Sequence, residues 1–220
     1  MGSKIKICGI TSLDDALAAL EAGADYLGLI FAQSSPRRVE LEAAKEIIAG
    51  VAGRAQIVGV FKDQDLEFVS DLALSLKLDY VQCHGKESVD YARRLPTKVI
   101  KVLELEGVSA SDSKLGSLAQ EWKEDAHFLL FDRPKLLSDP EWYKRAVKEL
   151  LAAQPLPLPY FFAGGLSADN VGEVVAELQP FAVDVASSVE ASPGQKDIDK
   201  MIDFCKAVKK DSGGLSACAH

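Results

Sequence analysis

The 220-residue sequence lacks several features that would assign it to a whole class of proteins. It has no uncharged apolar run close to the ~20 residues that a membrane-spanning helix needs. Its N-terminus has no signal-peptide hydrophobic region. Basic residues are the minority, 25 against 33 acidic ones, which argues against a nucleic-acid backbone as partner. We expect a cytoplasmic protein, or an organellar one if a transit peptide has been removed, that binds neither membranes nor nucleic acids.

Cysteine is scarce, and its spacing is unlike that of a structural metal site. The four residues, Cys8, Cys83, Cys205 and Cys218, form no CxxC pair, which argues against structural zinc. A disulfide framework is not needed by a chain of this length that is 48% hydrophobic. We therefore expect free thiols and no metal.

The sequence does contain an alternation of strand and helix patterns that is repeated eight times. Between the strands lie helical patterns. The first has Ser12 as its N-cap and Gly23 as its end, the sixth opens at residues 138–140, and the seventh opens at Ser167. The strands are short apolar runs rich in β-forming residues. We predict them at Lys4–Cys8, Tyr26–Phe31, Gln56–Phe61, Tyr80–Cys83, Val99–Leu103, Phe128–Phe131, Tyr160–Ala163 and Ala182–Val185.

Eight strands that are apolar on both faces, each followed by a helix, predict a parallel sheet covered by helices. Eight is also the number that closes a (β/α)8 barrel, and an open doubly wound sheet is the competing architecture. No GxGxxG motif follows the first strand, and no long linker divides the chain. We predict an α/β protein with a single (β/α)8 TIM barrel over residues 1–210 and a flexible tail at residues 211–220.

A (β/α)8 barrel has its chemistry at the C-terminal ends of its strands, so the residues there are the candidates. Cys8 ends the first strand, where nearby cations would favour a reactive thiolate, although most free cysteines are simply packed. Asp132 ends the sixth strand, where burial would favour the protonated form that a general acid needs; a cap is the alternative. Arg37 and Arg38 follow the second strand, and we expect one of them to clamp a carboxylate and the other to be solvated.

Other strand ends carry further polar residues and glycines. The fourth strand ends at Gln82-Cys83-His84, where a histidine suits acid–base chemistry but a structural histidine is the more frequent outcome. Cys83 is expected to point into the packing. Paired glycines after the seventh strand expose backbone N–H groups that could hold a phosphate, with a tight turn as the alternative. The candidate site residues at the ends of the seventh and eighth strands are Gly164, Gly165, Asp184, Ser187 and Ser188. Together these groups suit proton transfer on a sugar phosphate.

These segments together resemble the phosphoribosylanthranilate isomerase family. They span nearly the whole chain in the family's order. The resemblance implies a (β/α)8 enzyme of tryptophan biosynthesis that needs no cofactor, an intramolecular oxidoreductase of the aldose–ketose type. The matching motifs are Lys6–Thr11, Gly28–Phe31 with Ser35-Pro36-Arg37, Gln82–Gly85, Ala163–Leu166 with Asn170-Val171, and Val183–Val185 running into Val189-Glu190, Pro193-Gly194 and Lys196-Asp197.

The resemblance also implies a substrate and a role for each matching residue. The family converts N-(5-phosphoribosyl)anthranilate to 1-(2-carboxyphenylamino)-1-deoxyribulose 5-phosphate by an Amadori rearrangement. Cys8 would be the base that takes the proton from ribose C2, and Asp132 the acid that protonates the ring oxygen. The implied substrate contacts are Arg37 for the anthranilate carboxylate, Gln82, His84 and Asp184 for the rest of the substrate, and Gly164, Gly165, Ser187 and Ser188 for the phosphate.

Two segments depart from the family's pattern. The family usually carries a GGTG-like stretch after the sixth strand, and residues 133–142 lack those glycines. The eighth strand is followed by Ala186-Ser187-Ser188, where the family has a glycine, so Ser188 would be strained if that glycine has a positive φ. Two alternatives therefore stay open: a barrel with lost or altered activity that binds another phosphorylated ligand, and a different sugar-phosphate isomerase or epimerase. We expect a monomer, because no large exposed apolar stripe indicates a dimer.

Overall fold

The computed structural model describes residues 2–104, 114–133, 140–153 and 155–211, and these form a closed barrel. The barrel strands are β1 Lys4–Cys8, β2 Tyr26–Ile30, β3 Gln56–Phe61, β4 Tyr80–Cys83, β5 Lys98–Glu104, β6 Phe128–Asp132, β7 Tyr160–Phe162 and β8 Ala182–Val185. All pair in parallel and in chain order, and β1 also pairs with β8. The predicted (β/α)8 barrel is therefore confirmed, because an open doubly wound sheet would leave two unpaired edges.

A helix follows each strand on the outside of the barrel. The helices are α1 Leu13–Ala22, α2 Leu41–Val51, α3 Leu66–Leu76, α4 Val89–Arg93, α5 Lys114–Glu121, α6 Pro140–Ala153, α7 Val171–Leu178 and α8 Ile198–Asp211. Between β8 and α8 lie a 3₁₀ helix, Ser187–Val189, and a hairpin made of β9 Glu190–Ser192 and β10 Gln195–Lys196. Within the described ranges, no helix is long and apolar enough to span a bilayer.

The helix ends agree with the predictions at α1 and differ at α7. Ser12 caps α1 by accepting a backbone N–H of the first turn, and Gly23 ends the helix with a φ of 109°. The prediction that the seventh helix opens at Ser167 is wrong, since α7 begins at Val171. The physical reason is that Asn170 Oδ1 accepts the N–H of Ser167 at 2.9 Å and holds the intervening residues in a turn.

The same strands supply two layers of buried side chains, because successive residues of a strand point to opposite faces. Leu29 and Leu129 face outward and pack under the helices. Cys83 packs in that outer layer and is 1% exposed, as predicted. Ile100 and Leu130 face inward and fill the barrel. The interior is therefore a packed core rather than a channel.

Aromatic rings close the barrel at the N-terminal ends of its strands. Tyr26, Tyr80 and Phe128 are the first residues of their strands, and Phe161 is the second residue of β7. Ring centroids in this group lie 5.1 to 6.0 Å apart. The polar residues that face the interior lie toward the opposite end, at the C-terminal ends of the strands, which we call the mouth of the barrel.

Some sequence-based expectations fall on residues outside the described ranges. The segment that follows Arg133, where the family's glycines are missing, is described again only from Pro140, the first residue of α6. The predicted tail begins at Asp211, which is the last residue of α8, and its remaining residues lie outside the described ranges. The division into residues 1–210 and 211–220 stays a prediction.

Candidate active site

Cys8 ends β1 and belongs to the cluster inside the barrel. It is 7% exposed. Gly28 on β2 makes room for it, because a Cβ at Gly28 would lie only 2.7 Å from Cys8 Sγ. Burial raises the pKa of the thiol, while the nearby cations Lys6 and Lys196 act in the opposite direction. The expected cations are present, but burial outweighs them.

Lys6 lies two residues before Cys8 on β1 and is completely buried. Its Nζ is 2.9 Å from both carboxylate oxygens of Asp184 on β8, its partner in the strand register. Burial acts to lower the pKa of Lys6, but Asp184 and Cys8 outweigh that effect and raise it, so the ammonium form persists. Sequence reasoning assigned Lys6 no role. Its alternate-residue spacing from Cys8 is the signal that could have found it.

Arg37 follows β2 and is held by Glu190 of the β9–β10 hairpin. Arg37 Nε lies 2.8 and 3.0 Å from the two carboxylate oxygens, and Nη2 lies 2.8 Å from Oε2. Nη1 takes no part in these bonds. Arg38, by contrast, is exposed. As expected, the two adjacent arginines differ, and Arg37 is the one built into the mouth.

Lys196 joins the hairpin to the ends of β1 and β8. Its Nζ is buried and donates to the carbonyl oxygens of Cys8 at 2.7 Å and Ala186 at 3.0 Å, and to Glu190 Oε1 at 3.0 Å. Burial lowers the pKa of Lys196, and the Glu190 carboxylate opposes that shift. In the sequence Lys196 was only part of a motif, and no local pattern showed that it reaches residues so far away.

His84 lies between two carboxylates. Its Nε2 is 3.4 Å from Asp132 Oδ2 and 3.6 Å from Glu104 Oε1. Burial acts to lower the pKa of His84, but the neighbouring carboxylates of Asp132 and Glu104 outweigh it and raise the pKa to about 9. The ring is therefore an imidazolium at neutral pH. Sequence reasoning favoured a structural role for His84 and did not foresee this pairing.

Gln82 reaches the other nitrogen of the same ring. Its side-chain Nε2 lies 3.3 Å from His84 Nδ1. An imidazolium donates from both ring nitrogens, so the amide oxygen of Gln82 is the atom that suits this contact. Exchanging the two amide atoms would give Oε1 a donor, which it lacks among the described residues, and would move Nε2 to the position that Oε1 now occupies. Gln82 thus orients the ring that faces Asp132.

Asp132 is the last residue of β6 and one quarter of its side chain is exposed. Its Oδ1 accepts the N–H of Arg133 at 2.8 Å, which leaves Oδ2 toward His84. Asp132 and His84 both act electrostatically on the buried Asp184. The ends of β4 and β6 therefore meet at the mouth through His84 and Asp132, and β8 with Asp184 adjoins β1 with Cys8.

Gly164 and Gly165 follow β7 with φ angles of 89° and 82°, which favour glycine. A Cβ at Gly164 would lie 2.5 Å from the backbone nitrogen of Arg133. One at Gly165 would lie 3.0 Å from Arg133 Nη2. The two glycines thus permit close approach of the chain after β6, and they place the Arg133 guanidinium against the predicted phosphate site.

Ser187 and Ser188 begin the 3₁₀ helix after β8. The hydroxyl of Ser188 donates to the carbonyl oxygen of Leu166, which ties the loop after β8 to the loop after β7. Ser188 does not have a positive φ. The strain considered for this position therefore does not arise, because a 3₁₀ turn uses ordinary negative φ angles.

The mouth combines groups that can move protons with groups that can hold anions. Cys8 and Asp132 can exchange protons with a bound molecule, while Arg37 and the Gly164–Gly165 backbone can hold a carboxylate and a phosphate. Within the ranges that the structure describes, no group of three or more His, Cys, Asp or Glu side chains could hold a metal ion. The chemistry that these side chains offer is acid–base.

Comparison with known proteins decides the family. A family model described as N-(5'-phosphoribosyl)anthranilate isomerase matches residues 5–207. The chain belongs to the phosphoribosylanthranilate isomerase family. Isomerases of this name from Geobacter sulfurreducens and Geobacter sp. strain M21 are 39% and 41% identical to it, over 94% of this chain and 98% of theirs.

Solved structures of the phosphoribosylanthranilate isomerase family have the same fold. The enzyme from Thermotoga maritima matches with a TM-score of 0.83 and 32% identity, over 94% of this chain and 99% of that one. A second structure, with a TM-score of 0.80, 32% identity and the same coverage, is a complex with reduced 1-(o-carboxyphenylamino)-1-deoxyribulose 5-phosphate. A third describes monomers generated from the dimeric Thermotoga enzyme. Family membership therefore does not decide the oligomeric state, and the expected monomer stays a prediction.

Proposed function

We propose that this protein is an isomerase that converts N-(5-phosphoribosyl)anthranilate to 1-(2-carboxyphenylamino)-1-deoxyribulose 5-phosphate in tryptophan biosynthesis. The observation that supports this most is the placement of Cys8, Arg37 and Asp132 at the mouth of one closed barrel. Membership of the isomerase family supports the same reaction. Substrate and product are isomers, so the residues have only protons to move and charges to hold.

The reaction needs an acid at the ring oxygen and a base at C2. Asp132 delivers a proton to the ribose ring oxygen, the bond from that oxygen to C1 breaks, and the anthranilate nitrogen forms an iminium with C1. The iminium makes the proton on C2 acidic, and the Cys8 thiolate takes it, leaving an enamine between C1 and C2. The enamine becomes the ketone when the C2 hydroxyl loses a proton and C1 gains one. The His84 imidazolium, 3.4 Å from Asp132, can stabilise the carboxylate that remains once Asp132 has given up its proton.

The two anionic ends of the substrate have separate partners. The anthranilate carboxylate meets Arg37, whose Nη1 is not engaged by Glu190. The phosphate lies against the backbone of the two glycines after β7 and the serines after β8. The sugar between them lies near Gln82, His84 and Asp184. The proposed phosphate contacts are Gly164, Gly165, Ser187 and Ser188.

A fluorescence assay tests this function. Freshly made phosphoribosylanthranilate is fluorescent, and its conversion is followed as loss of that signal. Cys8→Ala and Asp132→Ala should each lower kcat by roughly 10²–10⁴-fold with a smaller effect on binding. Cys83→Ala is the matched control, because Cys83 packs outside the barrel. No turnover by the folded wild-type protein, or losses confined to binding, would contradict the proposal.

A barrel with altered activity on another phosphorylated ligand is the second candidate. The observation that favours it is Arg133, the first residue of the segment that departs from the family's pattern, whose guanidinium lies against Gly165. A different sugar-phosphate isomerase or epimerase would keep the phosphate contacts but would not need Arg37 to meet an aromatic carboxylate. Turnover of ribose 5-phosphate or ribulose 5-phosphate in place of phosphoribosylanthranilate would favour these alternatives.

We also propose that the protein is a monomer and that it works in the cytoplasm. Gel filtration with light scattering tests the oligomeric state.

A further inference from the structure

Lys6 is a buried cation that the proposed steps do not use. Its side chain has no exposed surface, and Nζ lies 2.9 Å from each carboxylate oxygen of Asp184. Lys6 and the thiol of Cys8 also act on each other electrostatically. Lys6 and Cys8 are alternate residues of β1, so both side chains point to the same face of the strand. The ammonium group is thus bound to a carboxylate on the same inner face of β1 that carries the sulfur.

Packing does not explain a lysine at this position. Moving an ammonium out of water costs several kcal/mol, and a buried ion pair often stabilises a protein no better than apolar side chains of the same volume. The barrel interior is apolar, with Val58, Ile100 and Leu130 in the same cluster as Cys8. A cation near a thiol has a direct chemical effect instead, because it favours the thiolate, the form that acts as a base.

We propose that Lys6 is a positioning residue for the isomerisation: Asp184 holds its ammonium group on the inner face of β1 that also carries Cys8, where it stabilises the thiolate that takes the proton from ribose C2. The role in isomerisation rests on the proposed function, whereas the stabilised thiolate does not. Asp184 alone would oppose a negative sulfur, but Lys6 acts on Cys8 more strongly than Asp184 does. The pair as a whole therefore favours the thiolate.

Two other cations, Lys196 and Arg37, also act on Cys8, and each is bound to a carboxylate as Lys6 is. Lys196 of β10 donates to three oxygens, including the Cys8 carbonyl at 2.7 Å. Arg37, from the loop after β2, is held on Glu190 by two of its nitrogens. Both groups affect the thiol electrostatically, but Lys6 has the larger effect. Lys6 is thus the cation placed to respond when charge develops on the sulfur.

Alkylation of Cys8 by iodoacetamide tests the proposal without any substrate. The rate, followed on the Cys8 peptide by mass spectrometry from pH 6 to 10.5, gives the pH midpoint of thiolate formation. Lys6→Met, which keeps the length of the side chain and removes its charge, should raise that midpoint by about one pH unit or more. In the isomerase assay, the rising limb of the kcat–pH profile should move in the same direction, with KM little changed.

Two further variants serve as controls for Lys6→Met. Lys6→Met leaves Asp184 buried without a counter-charge, so the double variant Lys6→Met/Asp184→Asn is also measured, and its midpoint should likewise exceed that of the wild type. Lys4→Met is the matched control, because Lys4 lies on the same strand but is half-exposed and pairs with Asp25. It should leave the midpoint unchanged.

The outcomes separate this inference from the proposed function. Midpoints equal to the wild-type value in both the single and the double variant would overturn the role of Lys6. A raised midpoint in a protein that does not convert phosphoribosylanthranilate would uphold the link between Lys6 and Cys8 and reject the isomerase function instead. A raised midpoint with an unchanged kcat–pH profile would overturn the role of Lys6 in the reaction.

Discussion

Glu190 accepts hydrogen bonds from two nitrogens of Arg37, a residue 153 positions away along the chain. The same carboxylate binds Lys196 Nζ at 3.0 Å, and Lys196 donates to the carbonyl oxygen of Cys8. One buried carboxylate therefore joins the arginine proposed to hold the substrate with the strand end that carries the proposed base. Substrate binding and stability should be lost together when Glu190 is changed.

Glu190→Gln leaves the ammonium of Lys196 buried without its counter-charge. We expect the free energy of unfolding to fall by about 3 kcal/mol, the usual cost of breaking a buried ion pair. Because Arg37 also loses its anchor, KM should rise about tenfold, a cost of about 1.4 kcal/mol, with a smaller change in kcat. Urea unfolding and steady-state kinetics measure both effects. Glu42→Gln, which breaks an exposed pair with Lys45, should cost no more than about 0.5 kcal/mol, and similar losses in the two variants would contradict the argument.

Gly28→Ala should disturb the thiol directly. The new Cβ would lie 2.7 Å from Cys8 Sγ and 3.0 Å from Cys8 Cα, so the sulfur or the backbone of β1 must move. A displacement of this kind should lower kcat by about a hundredfold. Gly53→Ala serves as control: it strains a positive φ but meets no atom within 4 Å, so it should cost stability without changing kcat. An unchanged kcat in Gly28→Ala would show that the thiol does not need its present position.

The stability contributed by His84 should depend on pH in a defined direction. Its pKa in the folded protein is raised to about 9, above the ordinary value of 6.5. The contribution is therefore fully present below pH 6.5 and is lost as the pH rises through 9. The difference in unfolding free energy between the wild type and His84→Gln should shrink over that interval, as measured by urea unfolding at pH 6, 7.5 and 9.5.

His127 is the control for this pH dependence. Partial burial and Lys98 lower the pKa of His127, the opposite shift to that of His84. His127→Gln should therefore show no loss of its stability difference between pH 6.5 and 9. The same trend in both variants would mean that the effect does not come from Asp132 and Glu104.

Arg133 should contribute to phosphate binding. Its guanidinium lies beside Gly165, where Nη2 would be 3.0 Å from an added Cβ. A charge-assisted hydrogen bond to a phosphate is worth about 1.5–3 kcal/mol, so Arg133→Ala should raise KM by about tenfold or more and leave kcat nearly unchanged. Inhibition by inorganic phosphate should weaken in parallel. Arg38→Ala is the control, since Arg38 is exposed, and an equal effect of both substitutions would argue against a specific contact.

The sequence predicted the barrel well because its strands are buried on both faces. Continuous apolar runs bounded by Gly, Pro or Asp placed every strand end within one residue of its position in the structure. The start of α7 was misjudged for a local reason. Ser167 has the composition of a helix cap, but the side chain of Asn170 bonds its N–H and keeps the backbone in a turn.

In the candidate site, too, some features could be predicted from the sequence and others could not. Cys8, Asp132 and the paired glycines could be found because a parallel barrel brings every strand's C-terminal end to one mouth. The pairing of His84 with Asp132 and Glu104 could not be found, since it depends on how far the ends of three different strands lie from one another. Roles for all these residues stay proposals until the variants are measured.

By itself the sequence determined the order of strands and helices. That order predicted the closed barrel and the end of the barrel at which its chemistry lies. Tertiary structure alone decided which charges meet. Lys6 reaches Asp184 across 178 positions because closure of the barrel lays β1 against β8, and Arg37 reaches Glu190 because a hairpin folds back over the mouth. The apolar periodicity of a sequence predicts which face of a segment is buried. It does not predict which buried charge lies opposite another.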